Sequence, residues 1–331
     1  MARIFMTGFE SGDLNLFNSY NGVSITTSKA RTGARSLLVP YNSSAKRLLP
    51  ATISELYMRF GIYHNTSSGS GAIIKFIDPA GTVQCTFVWD MTNAKIAAYR
   101  GDKATLLAEW AGITSAEWHC IEIHLVVDDT NGVFEVKYDG TLVIDYDGDT
   151  KASSTAGVRT IQFSPVSGAG NSYNLDDIAI NDTSGSRNNS WIGRGGIYVC
   201  KPNGVGTYSE LTPSAGNNYE CVDEVPPDDD TSYVQSNTVD KRDTYALENL
   251  SVGAGTISAI CWQTRARLTE PGSGSIARLL RIENTDFEGD PITLEPSYNW
   301  FEEIIEENPI TEQAWQISEI NSLEAGVQVE D

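Results

Sequence analysis

Basic residues are scarce in this chain of 331: 23 Lys and Arg stand against 44 Asp and Glu, a formal net charge of −21. A surface of that sign repels a phosphate backbone and an anionic bilayer alike, so neither nucleic acid nor membrane insertion is expected. No stretch approaches the length of apolar run that crosses a membrane as a helix. The opening MARIFMTGFESGDLNLF has no apolar core of signal-peptide length, so no secretion signal is expected. Cysteine is sparse and scattered: Cys85, Cys120, Cys200, Cys221 and Cys261 form no CxxC pair. Buried free thiols in a reducing compartment are the expectation, rather than a disulfide frame. Histidine is limited to His64, His119 and His124, and no GxSxG, HExxH or Walker A sequence occurs.

What is present suits a β protein. Apolar residues make up 40% and aromatics 9%, enough for real cores, while Gly at 29 supplies turns. The length predicts two domains. Charge places the boundary: residues 1–181 hold 14 basic and 18 acidic side chains, and residues 182–331 hold 9 and 26. Between them, residues 181–190 are polar and read as a linker.

In residues 1–181 the period is two. Leu56, Met58, Phe60 and Ile62 alternate with Tyr57, Arg59, Gly61 and Tyr63. Residues 73–77 and 83–89 flank Asp78-Pro79-Ala80-Gly81-Thr82 and predict a hairpin. Ile121, Ile123, Leu125 and Val127 face one way, with Cys120, Glu122, His124 and Val126 on the other. Asn131-Gly132 and Asp139-Gly140 then punctuate a three-stranded meander over residues 118–146. Further strands are predicted at Val158–Phe163 and residues 174–180. In the second part, alternation over residues 260–268 and the turn Pro271-Gly272-Ser273-Gly274 predict a hairpin with residues 276–282. Ser318 is the expected cap of a short helix reaching Ala325 and stopped by Gly326.

Three segments resemble the concanavalin A-like (laminin-G-like) jelly-roll family, in the form found in tailed-bacteriophage virion proteins. They are Gly8-Phe9-Glu10-Ser11-Gly12 with residues 30–37, Trp118 to His124 with Gly132 to Gly140, and Leu175-Asp176-Asp177-Ile178 leading to Asp182. The second part is similar to a domain that accompanies such jelly rolls. That likeness is carried by residues 191–202, by Tyr219 to Asp228, and by Glu306-Glu307-Asn308-Pro309, Ala314-Trp315 and Glu319 to Val327. The resemblance implies an all-β chain: a jelly-roll sandwich over 1–181, then an acidic, β-sandwich-like virion-associated domain over 182–331 with a short C-terminal helix. It implies a virion component on the particle surface, at the tail, tail fibre or head, made and assembled in the bacterial cytoplasm. Other virion proteins are its implied partners, with homo-oligomerisation as a trimer or by particle symmetry. The alternative is an adhesin that binds host glycans through the jelly roll.

Chemistry is thinly supplied. A glucanase needs two carboxylates on one face, but Glu122 is followed by His124 and Val126 on its face, and Glu135 by Lys137. The expectation is therefore a protein without catalytic activity. His119 and His124 lie five apart and point to opposite faces, so they do not share a metal. Gly193-Arg194-Gly195-Gly196 lacks the strand–loop–helix context of a phosphate loop and reads as a turn. No cofactor motif is present. Calcium is the one metal with available donors, at Asp145, Asp147 and Asp149 on one side of an extended segment, or at Asp176, Asp177 and Asp182. Trp89, Tyr99 and Trp110 are candidate glycan contacts, while Trp118 matches the family's core tryptophan.

Overall fold

A computed structural model describes residues 2–155, 157–270 and 272–331 and divides the chain into two compact units, the first ending at Ile197 and the second spanning Tyr198–Asp331. The first unit runs past the 181/182 boundary read from composition. Beyond the polar residues 181–190, residues 191–197 are hydrogen-bonded to the sheet beneath them and so belong to the first unit.

Alternation builds the first unit. An eight-stranded sheet has Thr141–Gly148, Gly132–Tyr138, Trp118–Val126, Glu55–His64, Ser172–Asn181, Ser36–Pro40 and Ser24–Thr26 in that spatial order, with Arg3–Thr7 also paired to Ser172–Asn181. A seven-stranded sheet has Thr105–Ala111, Lys95–Arg100, Val83–Asp90, Ser70–Ile77, Val158–Phe163, Ser44–Ile53 and Ser19–Asn21. Every pairing in both is antiparallel. The inward residues of the two sheets form one core, joined edge-on by Phe60 with Phe87 and Phe76 with Phe134, ring centroids 6.1 Å apart in both pairs. This is the jelly-roll sandwich.

The predicted hairpin and meander are both present. Asp139 and Gly140 take positive φ, as a tight hairpin turn demands. Asn131 does not. There the Asp128 carboxylate accepts the Thr130 and Asn131 amides and sets the turn instead.

The second unit is again nearly all β. Pro202–Ser209, Arg242–Leu247, Glu324–Val329, Ser275–Ile282, Thr285–Glu288 and Ile292–Thr293 form a six-stranded sheet. A separate ribbon pairs Ile260–Ala266 with Asn299–Ile305. Trp262 joins ribbon to sheet, burying its ring with Leu280, Ile282 and Trp315 and donating its indole N–H to the Gly326 carbonyl at 3.2 Å. The predicted partner of residues 260–268 was therefore wrong. Ser275–Ile282, buried along nearly its whole length, is held between Glu324–Val329 and Thr285–Glu288. Pro271, in the turn assigned to that hairpin, lies outside the described residues. The short helix is Ile317–Ile320, capped at Gln316, where Glu319 accepts the Gln316 amide. Gly326 does not stop it but sits in a strand, packed too closely on Asp243 for any side chain. Asp243 is itself fully buried, its carboxylate accepting the Glu210 and Leu211 amides, the Asn218 amide group and the Tyr245 hydroxyl.

Candidate functional site

Ile121, Ile123 and Leu125 turn into the sandwich, so Trp118, Cys120, Glu122 and His124 stand on the outer face of the eight-stranded sheet. Strand register sets them beside Tyr63, Gly61, Arg59 and Tyr57, respectively. At one end of this grid the Tyr63 and Trp118 rings meet edge-on with centroids 5.7 Å apart, both half-buried. The Lys29 ammonium lies 4.0 Å from the Tyr63 ring centre and donates to the Asn65 side chain at 2.6 Å. Asn65 in turn donates to Asn174 at 2.9 Å. The Trp118 indole N–H has no partner among the described residues. An aromatic face bordered by an amine and amides has the chemistry to receive a polyhydroxylated ring.

At the other end His124 stacks flat on Tyr57, centroids 4.2 Å apart, with its two ring nitrogens 2.7 Å from Glu135 and 2.9 Å from Glu55. Trp191 closes over both rings from the side, and the Lys137 ammonium sits 3.7 Å from the centre of its indole.

Between the two ends, residues 191–197 cross the grid as a strap. Glu122 accepts the Ile192 and Gly193 amides at 3.0 and 2.7 Å, and Asp177 accepts the Ile197 amide at 2.6 Å. Arg31 donates to the Gly195 carbonyl and to Asp177. The strap comes closest at its glycines: a Cβ on Gly195 would lie 2.7 Å from the Arg59 guanidinium, and one on Gly196 would lie 2.5 Å from the Thr32 side chain. Asp176 and Asp177, placed together by a bulge against the Glu55–His64 strand, are both fully buried. Burial, reinforced by the neighbouring Asp177 charge, pushes the Asp176 carboxyl up to about 8. Burial also lowers the Arg59 guanidinium and raises the Cys120 thiol beside it.

The structure disperses the residues chosen from sequence. Asp145 and Asp147 are exposed on an edge strand, but Asp149 turns away to an ion pair with Arg100. The calcium set is therefore not assembled, and among the described residues no three His, Cys, Asp or Glu side chains are placed to hold a metal ion. Asp176 and Asp177 are committed to the strap and to the Arg31–Thr32 backbone, and Asp182 to the Ser184 turn. Trp89 is not a surface contact: it is wholly buried in the core because it shares its strand face with Cys85 and Phe87. Trp110 pairs opposite the buried Ile96 and leans on Tyr138, ring centroids 5.1 Å apart. Tyr99 alone faces outward, on the other sheet, over Val88 and Ala97. Trp118, read as core, is half-exposed, as Trp110 and Tyr99 are.

His119 and His124 do point to opposite faces. His119 lies in the sandwich between Asp139, at 2.8 Å, and the Thr114 hydroxyl, also at 2.8 Å. Three of the five thiols, Cys85, Cys120 and Cys221, are buried, and Cys200 and Cys261 are half-buried. The outer-face grid was missed as a site, although the parity of Tyr57, Arg59, Gly61 and Tyr63 already marked its residues.

No protein-family model matches the chain, and no curated protein does. Solved structures similar to it include an endo-β-1,4-glucuronan lyase from the fungus Trichoderma reesei, 14% identical with a TM-score of 0.42, over 54% of this chain and 95% of that one. The alginate lyase Aly36B is 12% identical with a TM-score of 0.40, over 55% and 93%. The carbohydrate-binding module CBM66 from Bacillus subtilis is 14% identical with a TM-score of 0.33, over 50% and 98%. The class these observations define is an all-β chain with a jelly-roll sandwich as its first unit. The lyases among these structures overturn the expectation that the chain is not an enzyme. That expectation rested on a missing pair of hydrolytic carboxylates, and a lyase, which cleaves by elimination, is not tested by their absence.

Proposed function

We propose that the chain is a surface component of a tailed-bacteriophage particle, present in several copies that meet each other and other virion proteins. The observation that supports this reading is spatial linkage among the segments that resemble the phage jelly roll. Glu10, from the opening segment, accepts the Ala34 and Arg35 amides across 24 and 25 residues. Asp176, from the closing segment, accepts the Arg31 amide across 145. Segments so far apart that hydrogen-bond to one another form one structural signature rather than separate coincidences of composition. A polyanionic surface further suits copies that must stay soluble before assembly. Imaging of purified particles at a resolution that traces the chain tests it. Ordered copies at one repeated interface are expected, and particles that lack the chain would sink the reading.

A second reading, glycan binding through the first unit, is favoured by the Tyr63–Trp118 pair, whose indole N–H has no partner among the described residues. A glycan array on the full chain is expected to show ligands whose binding falls at least tenfold in Trp118→Ala. Mass analysis of the bound glycan after long incubation reads whether it is also cut. An array with no ligand would remove this reading and leave the first intact.

A further inference from the structure

The strap is fastened by charge rather than by apolar packing alone, and its fastenings are buried. Glu122 and Arg59 are 3% and 4% exposed, and Asp176 and Asp177 are 0% exposed. Beneath residues 191–197 this makes three acids, Asp176, Asp177 and Glu122, against two bases, Arg31 and Arg59. Among the described residues, few groups face the carboxyl pair from other segments. They are Glu10 and Arg35, linked through the Glu10 cap on the Ala34 and Arg35 amides, and the Cys120 thiol on the Trp118–Val126 strand. From the strap comes only Arg194, exposed and turned to Asp139 at 3.7 Å. With two bases, the cluster balances two ionised acids. A third ionised acid leaves an uncompensated charge in a dry site, which is costly.

Arg31 is the pivot. Its amide is bonded to Asp176 at 2.7 Å, while its guanidinium holds Asp177 at 2.6 Å and the Gly195 carbonyl at 2.8 Å. We propose that residues 191–197 form a releasable strap, docked while Asp176, beside the Asp177–Arg31 ion pair, keeps its proton and loosened when Asp176 ionises. An ionised Asp176 repels Asp177, whose other oxygen holds the Ile197 amide, and competes for the guanidinium that holds Gly195. Both fastenings at that end then weaken together. Release withdraws Trp191 from the Tyr57–His124 stack, so the outer face gains an aromatic surface that the docked strap hides. The high affinity of Asp176 for its proton places this change near neutrality, within reach of ordinary changes of medium.

Hydrogen exchange on the full chain, from pH 5.5 to 8.5 and corrected for intrinsic rates, tests the proposal. Protection of the Ile192, Gly193 and Ile197 amides is expected to fall by up to about tenfold per pH unit until about pH 8 and then level off. Amides of the Trp118–Val126 strand are expected to keep their protection throughout. In Asp176→Asn the slope is expected to vanish. If that variant does not fold, Glu122→Gln serves instead: protection drops at every pH and the slope remains. A native strap with no slope, a slope that persists in Asp176→Asn or is lost in Glu122→Gln, or a fall shared equally by the Trp118–Val126 strand would each overturn the proposal.

Discussion

Trp89 and Trp118 differ in fate because of strand parity. Trp89 shares a face with Cys85 and Phe87 and is wholly buried, whereas Trp118 shares one with Cys120, Glu122 and His124 and stays half-exposed. Trp89→Ala is expected to cost about 3–5 kcal/mol, and Trp118→Ala no more than about 1–2 kcal/mol, read from urea midpoints at constant slope. Equal costs would refute the assignment of faces. Parity was legible in the sequence at both positions, and it prevails over aromatic identity at Trp89 and over family likeness at Trp118. Asp243 was not legible at all, since nothing local marks an aspartate that collects donors from residues 210, 211, 218 and 245. Asp243→Ala strands those donors in the interior and is expected to lower the stability of the second unit by about 3 kcal/mol or more. A thermal midpoint unchanged from the parent would contradict that role.

At the scale of elements, turns whose chemistry is local were legible and pairings between distant strands were not. Asp139-Gly140 reads as a tight turn because both residues must adopt positive φ, and they do. Gly140→Val strains that turn and is expected to cost about 1–2 kcal/mol, with the loss seen as faster exchange along Gly132–Tyr138 and Thr141–Gly148. Exchange there at the parent rate would show that the turn is not what holds the meander. Ile260–Ala266 was recognisable as a strand from its period, but period fixes a face and not a partner. The strap was hidden for a related reason. Its bonds run from distant side chains to its main chain and leave no period in residues 191–197.

Over the whole molecule, the boundary at Ile197 sharpens the division of charge: the second unit holds 7 basic and 25 acidic side chains. Arg242, Arg265, Arg267, Arg278 and Arg281 each pair with acids of their own unit. Stability of the first unit carries opposed pH dependences. Asp176 is held up to about 8 by burial and Asp177, against an ordinary 3.8. Its contribution is fully present below the unfolded value and is lost as pH rises to the folded one, at no more than about 1.4 kcal/mol per unit. Burial lowers His64, whose contribution is instead present above its ordinary 6.5 and lost as pH falls below it. A melting profile of Asp176→Asn should flatten on the alkaline side and keep the acid limb; an unchanged alkaline slope would reject the assignment.

The register of the eight-stranded sheet also governs the order in which the chain becomes a protein. Arg3 pairs with Asn181, and Glu55–His64 lies between Trp118–Val126 and Ser172–Asn181. Strands synthesised early thus wait for a late one, and a ribosome-bound intermediate leaves one hydrogen-bonding edge of Glu55–His64 unpaired until that strand emerges. A chain ending at residue 170 is expected to be protease-sensitive and aggregation-prone, and one ending at residue 197 to fold. For this molecule, translation speed between those two points sets the window in which a chaperone has something to hold.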